Sequence, residues 1–220
     1  MRRADTTELL EDSSLPDEVV ARAYRDLARV HRWLGIDAAV LKRLRADPIT
    51  ISSVLDIGCG QGALLQKIHR KLGLSVVGFD LRPAPEGAPV PILTGNAVVD
   101  PLPASDVAVC VFLAHHLSES DLVGLIRNVS RSCRRFILID LVRHRLPLTF
   151  FSIFARPFLS RLNVADGLTS IRRSYTPVEL RRIVDSALQG SGARVVHTVA
   201  PFYVHQTADI SWPDVTAPRP

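Results

Sequence analysis

Apolar residues recur along this chain with two different periods. Val20, Tyr24, Leu27, Val30 and Leu34 stand at helical spacing and predict a helix over 17–34 that opens after Ser14 and Pro16 and stops at Gly35. A second helical stretch covers 37–44 and ends before Pro48. Residues 51–57 then form an unbroken apolar run, the pattern of a strand buried on both faces. From there strands and helices alternate: helix 64–72 on Leu64, Leu65, Ile68 and Leu72, strand 75–80, a proline-broken loop through Arg82, Pro83 and Pro85, then strands 91–94 and 105–112. Helix 119–133, strand 136–142, an irregular insertion, helix 177–188 and strands 194–200 and 202–206 complete the order. Such alternation predicts an α/β fold whose mostly parallel sheet is covered by helices on both faces. There are no repeats, and a proline-bearing tail over 213–220 is expected to be mobile.

The junction between the first strand and its helix is the most informative segment. It reads Val54-Leu55-Asp56-Ile57-Gly58-Cys59-Gly60-Gln61-Gly62. Glycines there permit positive φ and close approach of a ligand to the backbone, and the free N–H groups of the following helix favour a polar group. Asp56 precedes the first glycine, where a carboxylate repels a pyrophosphate and attracts a cation. That argues against a dinucleotide. The segment resembles motif I of the class I S-adenosylmethionine-dependent methyltransferases, acidic-x-G-x-G-x-G. Val76-Val77-Gly78-Phe79-Asp80 supports the likeness by ending the next strand in a carboxylate.

The resemblance implies a Rossmann-like methyltransferase fold with a seven-stranded sheet, an antiparallel seventh strand at one edge, and S-adenosylmethionine as cofactor, leaving as S-adenosylhomocysteine. It implies that Asp80 binds the ribose hydroxyls and that Asn96, beside Ala97, stands where relatives carry an acid for the adenine amino group. Phe112 and Leu113 match the position whose backbone lines the methionine part. Expected cofactor contacts are therefore Asp56, Gly58, Cys59, Gly60, Gly62, Asp80, Leu81, Asn96, Ala97, Phe112 and Leu113.

Composition bounds the setting. A chain of 220 residues, 47% of them hydrophobic, suits one core. The organisation expected is a helical cap over 1–47, a methyltransferase domain over 48–212 with an apolar insertion at about 144–166, and the tail. The cap helices either cover the pocket or only pack on the sheet. The charged, polar start Met1-Arg2-Arg3-Ala4-Asp5 has no apolar segment behind it, so a cytoplasmic location is expected. Cys59, Cys110 and Cys133 lack metal-ligand spacing and read as free thiols; no metal site is expected. The net charge of +5 comes mostly from scattered arginines, not from a stripe interleaved with aromatics, so no nucleic-acid partner is expected.

Two features suggest chemistry beyond the cofactor. His115 and His116 follow the fourth strand, where an imidazole either removes an acceptor's proton or caps the next helix; His144 has a smaller claim. The insertion carries Phe150, Phe151, Phe154 and Phe158. It is too short to span a bilayer and reads as a lid over a hydrophobic acceptor, a membrane-surface foot rimmed by Arg143, Arg145, Arg156 and Arg161, or an extra core helix. Candidate acceptor contacts are Phe151, Phe154, Arg172 and Tyr175, the last two in a stretch leading to the helix start Thr176-Pro177. That helix start is similar to those of ubiquinone/menaquinone-type and related bacterial small-molecule methyltransferases. The expected activity is methylation, mainly on oxygen, of a small lipophilic acceptor such as a phenolic polyketide or quinone precursor. Alternatives are an RNA or protein methyltransferase and a non-catalytic cofactor-binding subunit; oligomeric state is left open.

Overall fold

The computed structural model of the protein describes residues 1–11, 15–47, 50–155 and 157–212; Ser14, Pro48, Arg156 and the tail from Pro213 lie outside them. Seven strands form one sheet in the order β3-β2-β1-β4-β5-β7-β6. The parallel part comprises β1 (Ser53–Ile57), β2 (Ser75–Asp80), β3 (Ile92–Thr94), β4 (Ser105–Val111) and β5 (Cys133–Leu141). β7 (His205–Ser211) runs antiparallel to both β5 and β6 (Arg194–Val199). The antiparallel strand is thus the last in sequence, as the resemblance implied, but it lies one position inside the edge, with β6 outermost.

The central strands are apolar on both faces because each face carries its own layer of helices. Leu55, Ile57, Phe136 and Leu138 pack with Leu122 and Leu125 of α4 (Glu119–Val129) and Leu180 and Ile183 of α7 (Pro177–Ala187). On the opposite face Val54, Val107, Val109 and Ile137 meet Ile36, Val40 and Leu44 of α2 (Ile36–Arg45) and Leu64 and Ile68 of α3 (Ala63–Leu72). Neighbouring Val54 and Leu55 fall in different layers, as the two-residue strand period requires. Each such side chain contributes about 1.5–3 kcal/mol when fully buried. α2 therefore packs on the sheet. α1 (Asp17–Trp33) instead turns Tyr24, Leu27 and Val30 toward a cavity above the sheet.

Local signals set several boundaries as read. Thr176 and Glu179 close a capping box around Pro177 at the start of α7. Ser118 accepts from Asp121 N at the start of α4. Elsewhere the structure differs. α4 ends at Val129 and β5 begins at Cys133, where helix was expected. The expected strand at 202–206 is a 3-10 turn over Pro201–Tyr203 with positive φ at Phe202 and Tyr203, and the strand proper is His205–Ser211.

The insertion is regular. Its two helices are α5 (Arg145–Phe154) and α6 (Arg161–Arg173), the latter capped by Ser160, whose side chain accepts from Asn163 N. α6 escaped the apolar pattern because its buried face is mostly polar: Asn163, Asp166 and Ser170, with Ile171. Those groups are satisfied by distant chain. Asn163 Nδ2 donates to Asp26 Oδ2 of α1 at 3.0 Å, and Asp166 accepts from the backbone N–H groups of Leu9 and Leu10 at 2.7 and 2.8 Å.

Candidate active site

The strand order reverses between β1 and β4, and the crevice above the carboxyl ends at such a point is where open α/β sheets bind ligands. A cavity of about 1220 Å³ opens there. One end is built by the glycine turn after β1. Gly58, Gly60 and Gly62 all have positive φ, at 73°, 54° and 76°. A Cβ on Gly60 would stand 2.9 Å from a ring carbon of Tyr24, and one on Gly58 would stand 3.0 Å from Leu113. The turn is fixed from the side by Asp80, whose Oδ2 accepts from Gly60 N at 2.8 Å and whose Oδ1 accepts from Arg82 N at 2.9 Å.

Charge is arranged unevenly at this end. Asp56 is 3% exposed, and burial, reinforced by the nearby Asp80 carboxylate, holds its carboxyl well above the usual range. Burial, then Asp56 and Asp80, likewise push the Cys59 thiol up, so it stays protonated. The Asp80 carboxylate lines this end of the cavity and favours a positive ligand there.

The other end is apolar. Phe150, Phe151 and Phe154 of α5, with Phe158, face Trp33 and Leu34 at the end of α1. Trp33 meets Phe158 edge-on at 5.6 Å. Between the ends passes the amino-terminal strap. Arg3 donates to the carbonyls of Arg173 and Leu117 at 2.6 and 2.7 Å and lies 4.1 Å over the Tyr175 ring. Ala4 N donates to Arg172 O, and Arg82 Nη2 donates to Leu10 O. The strap thereby ties α6 to the loop after β2.

Beneath the strap lies a chain of ionisable groups. His115 is 2% exposed, and its Nδ1 donates to Asp140 Oδ1 at 2.7 Å. Its Nε2 lies 3.5 Å from Glu8 Oε1, and His116 Nε2 lies 3.8 Å from Glu8 Oε2. Burial alone would lower the His115 pKa, but the Asp140 charge and hydrogen bond, with Glu8, outweigh it and raise it to about 9. Burial would raise Glu8, but hydrogen bonding and the charges of His115 and His116 hold it below the usual carboxylate range. A neutral-pH imidazole in that setting holds a proton.

Most residues singled out from sequence meet at the cavity: Gly58, Cys59, Gly60, Asp80, Leu81, Asn96, Ala97, Phe112, Leu113, His115, His116, Phe151 and Phe154 all line it. Phe112 does so with a positive φ of 55°, a strained non-glycine turn just past β4. Gly62 caps α3, its Cα facing Val90. Asn96 Oδ1 accepts from Val98 N at 3.0 Å, so the amide oxygen expected at an adenine is already engaged in the local turn. Arg172 is exposed on α6, and Tyr175 is 1% exposed with its hydroxyl donated to Leu117 O; neither lines the cavity. Arg143 is also no rim residue, being buried against Glu179 Oε1 at 2.5 Å. His144 caps α5 and stacks on Tyr203.

Sequence reasoning missed Glu8, Arg3 and Asp166, which act across more than a hundred residues of chain and leave no local pattern. Asp140 was findable. It ends the apolar run Phe136-Ile137-Leu138-Ile139, the same signal that marked Asp80.

Comparison with known proteins agrees with this geometry. Residues 54–135 match the family model described as a methyltransferase domain. No curated protein sequence matches the chain. Among solved structures, the plantazolicin methyltransferase BpumL in complex with SAH, S-adenosylhomocysteine, superposes with a TM-score of 0.67 at 14% identity, over 92% of this chain and 93% of that one. The methyltransferase domain of bacterial CtHen1-C gives a TM-score of 0.60 at 16% identity, over 80% of this chain and 96% of that one. SibL, an S-adenosylmethionine-dependent methyltransferase in its apo form, gives 0.62 at 18% identity, over 96% and 64%. With the glycine turn and the acid-ended second strand inside the matched segment, residues 54–135 carry a methyltransferase domain, and the chain as a whole has the fold of the solved S-adenosylmethionine-dependent methyltransferases.

Proposed function

We propose that the protein is a cytoplasmic enzyme that moves a methyl group from S-adenosylmethionine to an oxygen of a small lipophilic acceptor, phenolic or quinone-like in character. The observation that carries this reading is the two-ended cavity, with the Asp80 carboxylate and the glycine turn at one end and phenylalanines at the other. Bound at the glycine turn, the cofactor supplies a methyl already activated by its sulfonium. The chain's own work is then alignment and exclusion of water. Asp80 accepts from the ribose hydroxyls in this reading, and its carboxylate favours a cationic ligand. Phe112 and Leu113 shape the wall between the two ends, while α1, α5 and the strap roof it.

An aromatic pocket of this size suits a planar apolar acceptor better than a phosphodiester chain, whose recognition calls for a basic stripe. Incubation with radiolabelled methyl donor and cell extract, followed by partition, tests the reading. Label in the organic-solvent fraction is expected; label confined to RNA or protein, or none transferred, would overturn it.

A second reading concerns where the acceptor is met. Phe150, Ile153, Phe154 and Phe158 are 50–61% exposed around the mouth of the cavity. No described helix is long and apolar enough to cross a membrane. A rim of this kind would instead contact a lipid surface and draw the acceptor from it.

A further inference from the structure

Glu8, His115 and His116 place their ligand atoms within 4.8 Å of one another, the two histidines on the cavity wall. Two ligands at about 2.1 Å from a tetrahedral ion stand about 3.4 Å apart, close to the 3.5 and 3.8 Å that separate the imidazole Nε2 atoms from the Glu8 oxygens. The surroundings are those of a ligand set held in place from behind. Asp140 takes the Nδ1 proton of His115 and so turns Nε2 toward Glu8, the carboxylate–histidine–metal arrangement that fixes tautomer and ring. Ser170 Oγ donates to Glu8 Oε1 at 2.6 Å and orients that carboxylate in turn.

An unused acceptor points the same way. The half-buried Glu8 and the buried Asp140 flank one imidazole, and Asp140 Oδ2 is buried without a hydrogen-bond partner among the described residues. We propose that Glu8, His115 and His116 form a binding site for a divalent first-row transition ion, open on the cavity side to two oxygen atoms of a chelating acceptor.

Two imidazoles and a carboxylate suit manganese, iron, cobalt or zinc in the divalent state better than magnesium or calcium. The acceptor class this adds, a dihydroxyarene or a hydroxyl beside a carbonyl, rests on the methyl-transfer reading above. A cation there lowers the pKa of an acceptor hydroxyl, whose proton leaves to solvent. The C–O bond then forms as the carbon–sulfur bond breaks, its electron pair staying on sulfur.

Cobalt(II) titration of the chelator-stripped full chain, followed by visible absorption, tests the site without any turnover. One equivalent should bind and give intense d–d bands of low coordination number. Glu8→Gln and His116→Gln should each weaken binding more than tenfold and reduce those bands, and Asp140→Asn should weaken it by about 10–100-fold. S-adenosylhomocysteine affinity, measured by calorimetry on the same samples, reports separately on the cofactor site. Cobalt binding that is absent in the parent protein, or equal in the parent and Glu8→Gln, would overturn the proposal while intact S-adenosylhomocysteine binding left the methyltransferase reading standing. Loss of S-adenosylhomocysteine binding in the parent with cobalt still bound would sink the methyltransferase reading and leave the ion site.

Discussion

Asp80 joins two loops before any ligand arrives, because its two oxygens hold the backbone N–H groups of Gly60 and Arg82. It therefore has two roles that one substitution separates from a mere pocket residue. Asp80→Ala removes the acceptor for ribose hydroxyls and also frees the glycine turn, and each hydrogen bond to a charged group is worth about 1.5–3 kcal/mol. Calorimetry should show S-adenosylhomocysteine affinity falling at least tenfold, with Asp80→Asn intermediate because one oxygen remains. An unchanged dissociation constant in folded Asp80→Ala would remove the residue from the site.

Among the elements, α5 and α6 carry the acceptor end, and their phenylalanines are not equivalent. Gly167 of α6 leaves the space into which the Phe151 ring packs, whereas Phe154 is 60% exposed at the mouth. Replacing Phe151 by serine removes apolar contact between the two helices, worth about 1.5–3 kcal/mol, so the melting temperature should drop. Phe154→Ser should instead raise the acceptor's KM and leave the melting temperature and S-adenosylhomocysteine affinity nearly unchanged. The insertion is helical, packs through Phe151 against Gly167, and reaches the cavity through Phe150, Phe151 and Phe154. Equal melting-temperature losses for the two variants would show that the mouth residue is a packing residue as well.

The molecule as a whole is closed by long-range polar ties. The strap binds α6, and buried Arg143 binds both Ser174 O and Glu179. Burial raises the Glu179 pKa, but the Thr176 N–H, the Arg143 guanidinium and the Thr176 hydroxyl together bring it below the ordinary glutamate range. A carboxyl depressed in the folded state contributes stability that is present above pH 4.5 and lost as pH falls through the folded value. Melting curves between pH 7 and 3 should show this loss, and Glu179→Gln should flatten the acid limb while lowering stability at neutral pH, where Arg143 loses its charge partner. Identical acid limbs in the two proteins would contradict the assignment.

The sequence by itself determined the alternation of strands and helices, the glycine turn, Asp56, Asp80 and the capping box at Thr176, because each rests on neighbours within one turn of helix or one strand length. Period and turn chemistry are local, and they survive folding unchanged at β2, which spans Ser75–Asp80 as read. Only the tertiary structure decided what the polar face of α6 was for, since Asn163, Asp166 and Ser170 find partners in α1 and the strap. It also decided that Tyr175 and Arg172 stay out of the cavity, because Tyr175 is held by Leu117 O and Arg3 and Arg172 points from an exposed turn of α6. The Glu8–His115–Asp140 chain belongs to the same class. Its members are separated by 107 and 25 residues, and no pattern along the chain can register an energy that exists only once the strap lies across β4 and β5.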